Sequence, residues 1–264
     1  HPAFAGKLLP GWDFVDNDPN PMEIAGSAYG HGTHVSGIIT RVAPNAKIIP
    51  IRVLDSTGST NAWVLAEALA FAANPDGNPA TDDGADVVNL SMGSPTPTRL
   101  LHDFLQSSSS DLAQPTDVDF PQIGKPNLIV VAAGGNNGGD FKIYPGAETS
   151  IDGLITVGAS DITDHLAPYS NYGSWIKVAA PGDRIISTTP DGGYGAWSGT
   201  SMSAPVVSGI VALIKQRFPG LAPLTTKDQV RCTTVRIDAK TTKQRVDAFN
   251  AVTTIPKVGG CGGN

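Results

Sequence analysis

The sequence GTSMSAPVVSGIVALIKQRFPG, residues 199–220, predicts a long buried helix that opens with a serine. The predicted helix spans residues 201–218, because proline is tolerated in a first turn and Pro219-Gly220 ends the apolar pattern. The first turn of a helix is its positive end, where backbone N–H groups can stabilise a developing oxyanion. From this stretch alone, Ser201 is either a nucleophile or an ordinary N-cap residue.

On both sides of this helix, short apolar runs alternate with helical patterns, which is typical of a parallel sheet covered by helices. Residues 59–73 predict a second helix, and residues 74–84 and 95–125 read as inserted loops. The predicted buried strands are residues 46–54, 86–91, 127–134, 154–160 and 175–180. We therefore expect an α/β fold with a mostly parallel sheet.

Composition excludes several classes of protein. The 264 residues are 40% hydrophobic and 16% charged, which suits a compact, loop-rich globule rather than a disordered chain. The net charge of −6 and the lack of a basic cluster argue against a nucleic-acid partner. No apolar run approaches the length of about 18 residues that a membrane span needs, so no membrane partner is expected.

Two further motifs carry residue types that suit acyl transfer. His31 lies in GHGTHVSG, residues 30–37, where a histidine on the first turn of a helix could act as a general base. Asn136 lies in VAAGGNNG, residues 131–138, where a strand ends in glycines and an amide could donate to an oxyanion. Each motif also has a plain structural interpretation: His31 and His34 could form a structural or metal-binding pair, and Gly-Asn is a common turn.

Taken in order, HGTHVSGI, LSMG, AAGGNNG and GTSMSAPVVSGIVAL resemble the motifs of the subtilisin-like serine proteases (subtilases), and most of all their thermitase-like branch. The resemblance runs from His1 to about Val252. It implies a three-layer α/β fold, with helices on both faces of the sheet. It also implies one catalytic domain over residues 1–264 and a serine endopeptidase that acts on polypeptide substrates.

Carried over to this sequence, the resemblance makes Ser201 the nucleophile, His31 the general base and Asn136 the side-chain oxyanion donor. It also implies a substrate site with two walls and an open, mostly apolar pocket of broad specificity. The residues of these walls are Ser91, Met92 and Gly93 on one side, and Ala133, Gly134 and Gly135 on the other. The first wall would bind an extended peptide as an added β-strand.

The family's third catalytic residue is an aspartate in an Asp-Ser/Thr-Gly turn, seven residues before a His-Pro pair. That pair is His1-Pro2 here, so we expect the aspartate and the strand before it to lie upstream of these 264 residues. Three explanations stay open: a cleaved segment that remains associated as a partner, a sequence that is a piece of a longer one, or a deletion. A deletion would leave a non-enzyme that only binds extended peptides, which is the competing functional hypothesis.

The loop DFVDNDPN, residues 13–20, places hard oxygen ligands close together, as Ca²⁺ prefers. The resemblance assigns Asp13, Asp16, Asp18 and Asn20 as calcium ligands, whereas the plain alternative is a solvated acidic turn. Cys232 and Cys261 either form one disulfide or remain two thiols; an extracellular hydrolase would favour the disulfide. We therefore expect a secreted, calcium-stabilised protein.

Overall fold

The computed structural model describes residues 1–78, 80–109, 125, 127–237, 244–257 and 259–261. The helices are a short 3₁₀ helix η1 (Pro2–Phe4), then α1 (His31–Val42), α2 (Ala62–Ala73), α3 (Arg99–Ser109), α4 (Thr200–Arg217), α5 (Pro223–Cys232) and α6 (Ala248–Thr253). The strands are β1 (Trp12–Asp13), β2 (Ile51–Arg52), β3 (Val87–Leu90), β4 (Ile129–Ala133), β5 (Leu154–Ser160), β6 (Val178–Pro181), β7 (Ile185–Thr188), β8 (Tyr194–Trp197), β9 (Thr234–Arg236) and β10 (Gln244–Val246).

The main sheet has six strands in the order β3-β4-β5-β6-β10-β9. All neighbours are parallel except β9, which pairs antiparallel with β10 at the edge. Strands β1 and β2 form a separate parallel pair, and β7 and β8 form an antiparallel hairpin. The prediction of a mostly parallel sheet is confirmed.

Alternate residues of the central strands divide the core into two layers, because successive side chains of a strand point to opposite faces. Ile129 and Val131 of β4 face a cluster formed with α4, α5 and α6. Val130 and Ala132 of the same strand face a second cluster, formed with α2 and α3. Helices therefore cover both faces of the sheet, and the predicted three-layer α/β architecture is confirmed.

Two predicted segments differ from the structure. Helix α3 lies inside the stretch predicted as a loop, since Leu101, Phe104 and Leu105 recur at helical spacing and are buried against α2 and the sheet. Residues 110–124 of that stretch lie outside the described residues. The strand predicted over residues 46–54 is reduced to β2, because Pro50 has no N–H to give to a strand partner.

A cleft of about 1640 Å³ separates the β1–β2 pair from β3. Ile51 lines one side and Val87 the other, while Leu69 of α2 and Leu213 of α4 close the two remaining faces. Within the described residues, β3 pairs with β4 alone, so its other edge faces this cleft. The cleft thus has a strand edge on both sides and a helical layer above and below.

A disulfide joins Cys232, the last residue of α5, to Cys261, so the disulfide expected from the sequence is present. The bond closes a loop with a sequence separation of 29 residues. On the chain-entropy model, a loop of that size stabilises the folded state by about 3–4 kcal/mol. None of the helices in the described part of the chain has the length and apolar character that crossing a bilayer requires.

Candidate active site

Helices α1 and α4 pack side by side and run in the same direction. Met202, near the start of α4, packs against Val35 in the first half of α1. Further along, Gly209 approaches Val42 so closely that a Cβ added at Gly209 would lie 2.6 Å from the Val42 Cβ. The two N-termini therefore lie at the same end of the helix pair, which brings the first turns that carry His31 and Ser201 to one side of the molecule.

Two reciprocal hydrogen bonds tie Ser201 to the end of β3. The Ser201 hydroxyl donates to the Ser91 carbonyl at 3.0 Å, and the Ser91 hydroxyl donates to the Ser201 carbonyl at 2.8 Å. Gly199, the N-cap of α4, has φ of 151°, a conformation that favours glycine. This turn delivers the serine to the surface of a small pocket, while the next residue, Met202, is buried.

The Asn136 side chain has a single chemically sensible orientation. Its Oδ1 accepts hydrogen bonds from the Thr200 N–H at 2.9 Å and from the Thr200 hydroxyl at 3.0 Å. A backbone N–H must meet an acceptor, so the oxygen is on this side and the Nδ2 donor group is on the other. The Thr200 hydroxyl also accepts from the Gly135 N–H at 3.0 Å, which links this loop to the start of α4.

The loop that carries Asn136 is held from behind by Asn171, whose side chain is completely buried. Its Oδ1 accepts from the Asn137 N–H at 2.7 Å. Its Nδ2 donates to the Gly134 carbonyl at 3.1 Å and to the Phe141 carbonyl at 2.8 Å. One side chain therefore satisfies three backbone groups, of which the Gly134 carbonyl is buried and the other two are partly buried.

A pocket of about 220 Å³ opens beside Ser201 and Asn136. Its remaining lining residues are Met92, Gly93, Ala133, Gly135, Asn137, Ile143 and Thr200. Four of the six residues predicted as substrate walls thus line it. Ser91 instead bonds to Ser201, and Gly134 is buried behind the wall, against Ile176 and Val157.

His31 lies at the start of α1, on the wall of the large cleft. Burial lowers the pKa of its imidazole, the Glu23 carboxylate raises it and His34 lowers it; the net direction is downward from the ordinary value. The imidazole is therefore neutral at neutral pH, the state that a general base requires. His34 is fully buried, stacks on Trp197 at 4.7 Å between ring centroids, and bonds through Nε2 to the Gly195 carbonyl.

The proposed calcium loop is organised around an arginine. Asp13 is buried, and its Oδ1 accepts from the N–H groups of Val15 and Asp16. Arg52 forms ion pairs with both Asp13 and Asp16. Among the described residues, no group of three or more acidic, histidine or cysteine side chains is arranged to hold a metal ion. As they stand, Asp13 and Asp16 do not fit Ca²⁺, because the cation between these two carboxylates is Arg52.

Sequence reasoning missed three contributors to the site. Ile143 lines the pocket, Thr200 orients Asn136, and Asn171 holds the loop. Ile143 and Asn171 follow Asn136 by 7 and 35 residues, and only the three-dimensional path of the chain brings them to it. Thr200 lies inside the GTSMSAP motif, and its position next to Ser201 could have identified it from the sequence.

Comparisons with known proteins agree with this geometry. The Subtilase family model matches residues 1–252. A thermophilic serine proteinase from a Bacillus species is 35% identical over 96% of this chain and 58% of its own length, so the chain spans little more than half of that relative. Thermitase from Thermoactinomyces vulgaris is 34% identical over 96% of this chain and 84% of its own. A crystal structure of a cold-adapted subtilisin-like serine proteinase superposes with a TM-score of 0.73 at 30% identity, over 93% of this chain and 82% of the other. The chain therefore belongs to the Subtilase family of serine proteases.

Proposed function

We propose that this chain is the main part of a serine endopeptidase that cleaves peptide bonds through an acyl-enzyme on Ser201. The observation that carries the proposal is the Asn136 amide. Its oxygen is bound by Thr200, so its Nδ2 group is available as a donor beside a serine at a helix N-terminus. A module that only binds peptides has no need of this arrangement.

In the proposed reaction, the Ser201 oxygen bonds to the substrate carbonyl carbon and gives its proton to His31. The resulting oxyanion accepts hydrogen bonds from the Asn136 Nδ2 group and the Ser201 N–H. Collapse breaks the C–N bond, and the leaving amine takes the proton from His31. Water then repeats the sequence, releasing the acid and restoring the serine. For the first step, the Ser201 hydroxyl has to rotate from the Ser91 carbonyl towards His31.

The pocket beside Ser201 supports a preference for apolar side chains and broad specificity. Its walls include Gly93, Ala133 and Gly135, which leave room, and Ile143, which is apolar. Residues 91–93 continue from the end of β3, and Ser94 pairs antiparallel with Tyr144. We propose that a polypeptide substrate lies along residues 91–93 as an added strand.

We propose that the large cleft between β2 and β3 receives a parallel strand from a segment outside these 264 residues. An apolar strand suits this space, because strand edges flank it and helices cover both faces. In a parallel sheet, the carboxyl ends of the strands lie at one edge; here β3 leads to Ser91 and β4 to Asn136. A carboxylate following the added strand would come out at this same edge, where it could orient His31.

Calcium stays a prediction from the family resemblance, since Arg52 already neutralises Asp13 and Asp16. Secretion is likewise a proposal. It is supported by the disulfide between Cys232 and Cys261, because such bonds persist in oxidising compartments. Among the relatives, one from Paenibacillus polymyxa that is 31% identical is named an intracellular serine protease, so membership of the family leaves the compartment open.

The test is hydrolysis of denatured protein and of short peptides with an apolar residue before the cleaved bond. We expect Ser201→Ala to abolish turnover. We expect Asn136→Ala to lower kcat about 10²–10³-fold with little change in KM, as for loss of one oxyanion donor. Turnover that survives Ser201→Ala unchanged, or an Asn136→Ala variant whose loss lies in KM alone, would overturn the proposal.

A further inference from the structure

The first turn of α1 receives its cap from a distant side chain. Gly30, the N-cap residue, has no side chain with which to cap the helix. Glu23 supplies one: its Oε1 accepts from the N–H groups of Gly32 at 2.6 Å and Thr33 at 3.3 Å. Its Oε2 accepts from the Thr33 hydroxyl at 2.7 Å. A carboxylate here satisfies helix N–H groups that have no partner within the helix and complements the positive end of the dipole.

Glycine at position 32 allows this close approach. A Cβ added to Gly32 would lie 3.0 Å from the Glu23 Oε1, so a larger residue would push the carboxylate away. The carboxylate bonds to the two residues that follow His31 along the helix. A shift of Glu23 would therefore remove the cap from the turn that carries the imidazole.

The same carboxylate also acts on the imidazole through its charge. It raises the pKa of His31, against the lowering caused by burial and by His34. The elements packed against α1, and the turns next to them, carry further charged or titratable groups at His1, Arg184, Asp191, Lys215 and Arg217. Of these, Lys215 and Arg217 lie at the far end of α4, and Asp191 is bonded to Thr189 and Gly193 within its own turn.

We propose that Glu23 is a positioning residue for His31: it holds the first turn of α1 in place and supplies a negative charge beside the imidazole. The consequence of Glu23 for catalysis rests on the proposed function, whereas the effect of Glu23 on His31 does not. Because a general base works in its neutral form, Glu23 would raise the lower pH limit of activity, against the larger lowering caused by burial.

The test is an NMR titration of the His31 imidazole in the wild type, Glu23→Gln and Glu67→Gln. Glutamine keeps an oxygen acceptor for the helix N–H groups and removes the charge; Glu67, exposed on α2, is the matched charge-loss control. We expect Glu23→Gln to lower the pKa of His31 by about 0.3–0.5 unit at low ionic strength, with a smaller shift in concentrated salt. A shift no larger than that of Glu67→Gln would overturn the charge effect.

Glu23→Ala tests the cap, since alanine removes both the acceptor and the charge. We expect its Tm to fall by about 2–4 °C, with Glu23→Gln nearer to the wild type. Equal Tm values for Glu23→Ala and Glu67→Gln would overturn the positioning role. The titration needs no turnover. A shifted His31 in an inactive protein would count against the proposed function only, and an unshifted His31 in an active protease would count against this inference only.

Discussion

Asn171→Ala tests how the loop that carries Asn136 is held in place. The wild-type side chain is completely buried and bonds to Asn137, Gly134 and Phe141 at 2.7, 3.1 and 2.8 Å. Alanine leaves one N–H and two carbonyl groups without this partner. An unsatisfied buried polar group costs about 1–3 kcal/mol. A carbonyl costs less when it loses one partner, because its oxygen can keep a second hydrogen bond. Only the bond to Gly134 is fully buried, so we expect the free energy of unfolding to fall by about 2–3 kcal/mol, out of a typical domain stability of about 5–15 kcal/mol.

The assay is urea unfolding followed by tryptophan fluorescence. Asn45→Ala is the control, because Asn45 is exposed and a surface change of this kind alters stability by less than about 0.5 kcal/mol. Asn171→Asp is a second probe: its carboxylate can still accept from Asn137 but cannot donate to the two carbonyls. If Asn171→Ala and Asn45→Ala unfold at the same urea concentration, Asn171 does not hold this loop.

Two further substitutions and one oxidation test neighbouring parts of the structure. Thr200→Val should lower kcat about 3–10-fold, with Thr200→Ser restoring it, because only a hydroxyl can bond to both Asn136 and the Gly135 N–H. Arg52→Met should lower the free energy of unfolding in urea by about 3–5 kcal/mol, because it leaves Asp13 buried without its cation. Oxidation of Met202 by peroxide should lower turnover about tenfold, because a sulfoxide oxygen would enter an apolar contact next to Ser201.

Each of these has a contradicting outcome. Full activity in Thr200→Val would mean that Asn136 does not depend on this hydroxyl. If Arg52→Met lowers the free energy of unfolding by less than about 1 kcal/mol, the ion pair between Arg52 and Asp13 is as weak as an exposed one. Calorimetry with calcium on the metal-stripped wild type and on Arg52→Met belongs with that experiment. Calcium that binds the wild type without displacing Arg52 would contradict the conclusion that Asp13 and Asp16 do not fit Ca²⁺. Unchanged turnover after confirmed oxidation would mean that Met202 does not affect the reaction at Ser201.

The sequence predicted the central strands well, because strands buried on both faces appear as continuous apolar runs. The strand predicted over residues 154–160 matches β5 at both ends. The helix predicted over residues 201–218 differs from α4 by one residue at each end. Helix α3 was missed because polar and proline-containing neighbours disguised the apolar spacing of Leu101, Phe104 and Leu105.

Within the site, the residues inside motifs could be predicted from the sequence, whereas the residues that hold those motifs in place could not. Ser201 and Asn136 stand beside glycines in short patterns that carry chemistry. Asn171 bonds to a loop more than 30 residues away, and Glu23 caps a helix through Gly32, nine residues after it. Arg52 is 36 residues from Asp16, so the ligand spacing alone suggested a calcium loop where the fold forms ion pairs with an arginine. Such contacts depend on packing across elements, which local sequence patterns do not contain.

The central claim is that Ser201 is a nucleophile whose site is completed by a segment lying in the cleft beside β3. The most direct measurement is a denaturing intact mass of the purified protein after treatment with a serine-directed phosphonate. We expect one adduct, mapped to Ser201 by peptide analysis, together with additional sequence that carries an apolar strand followed by a carboxylate. An unmodified 264-residue chain in an active preparation, or an adduct mapped elsewhere than Ser201, would contradict it.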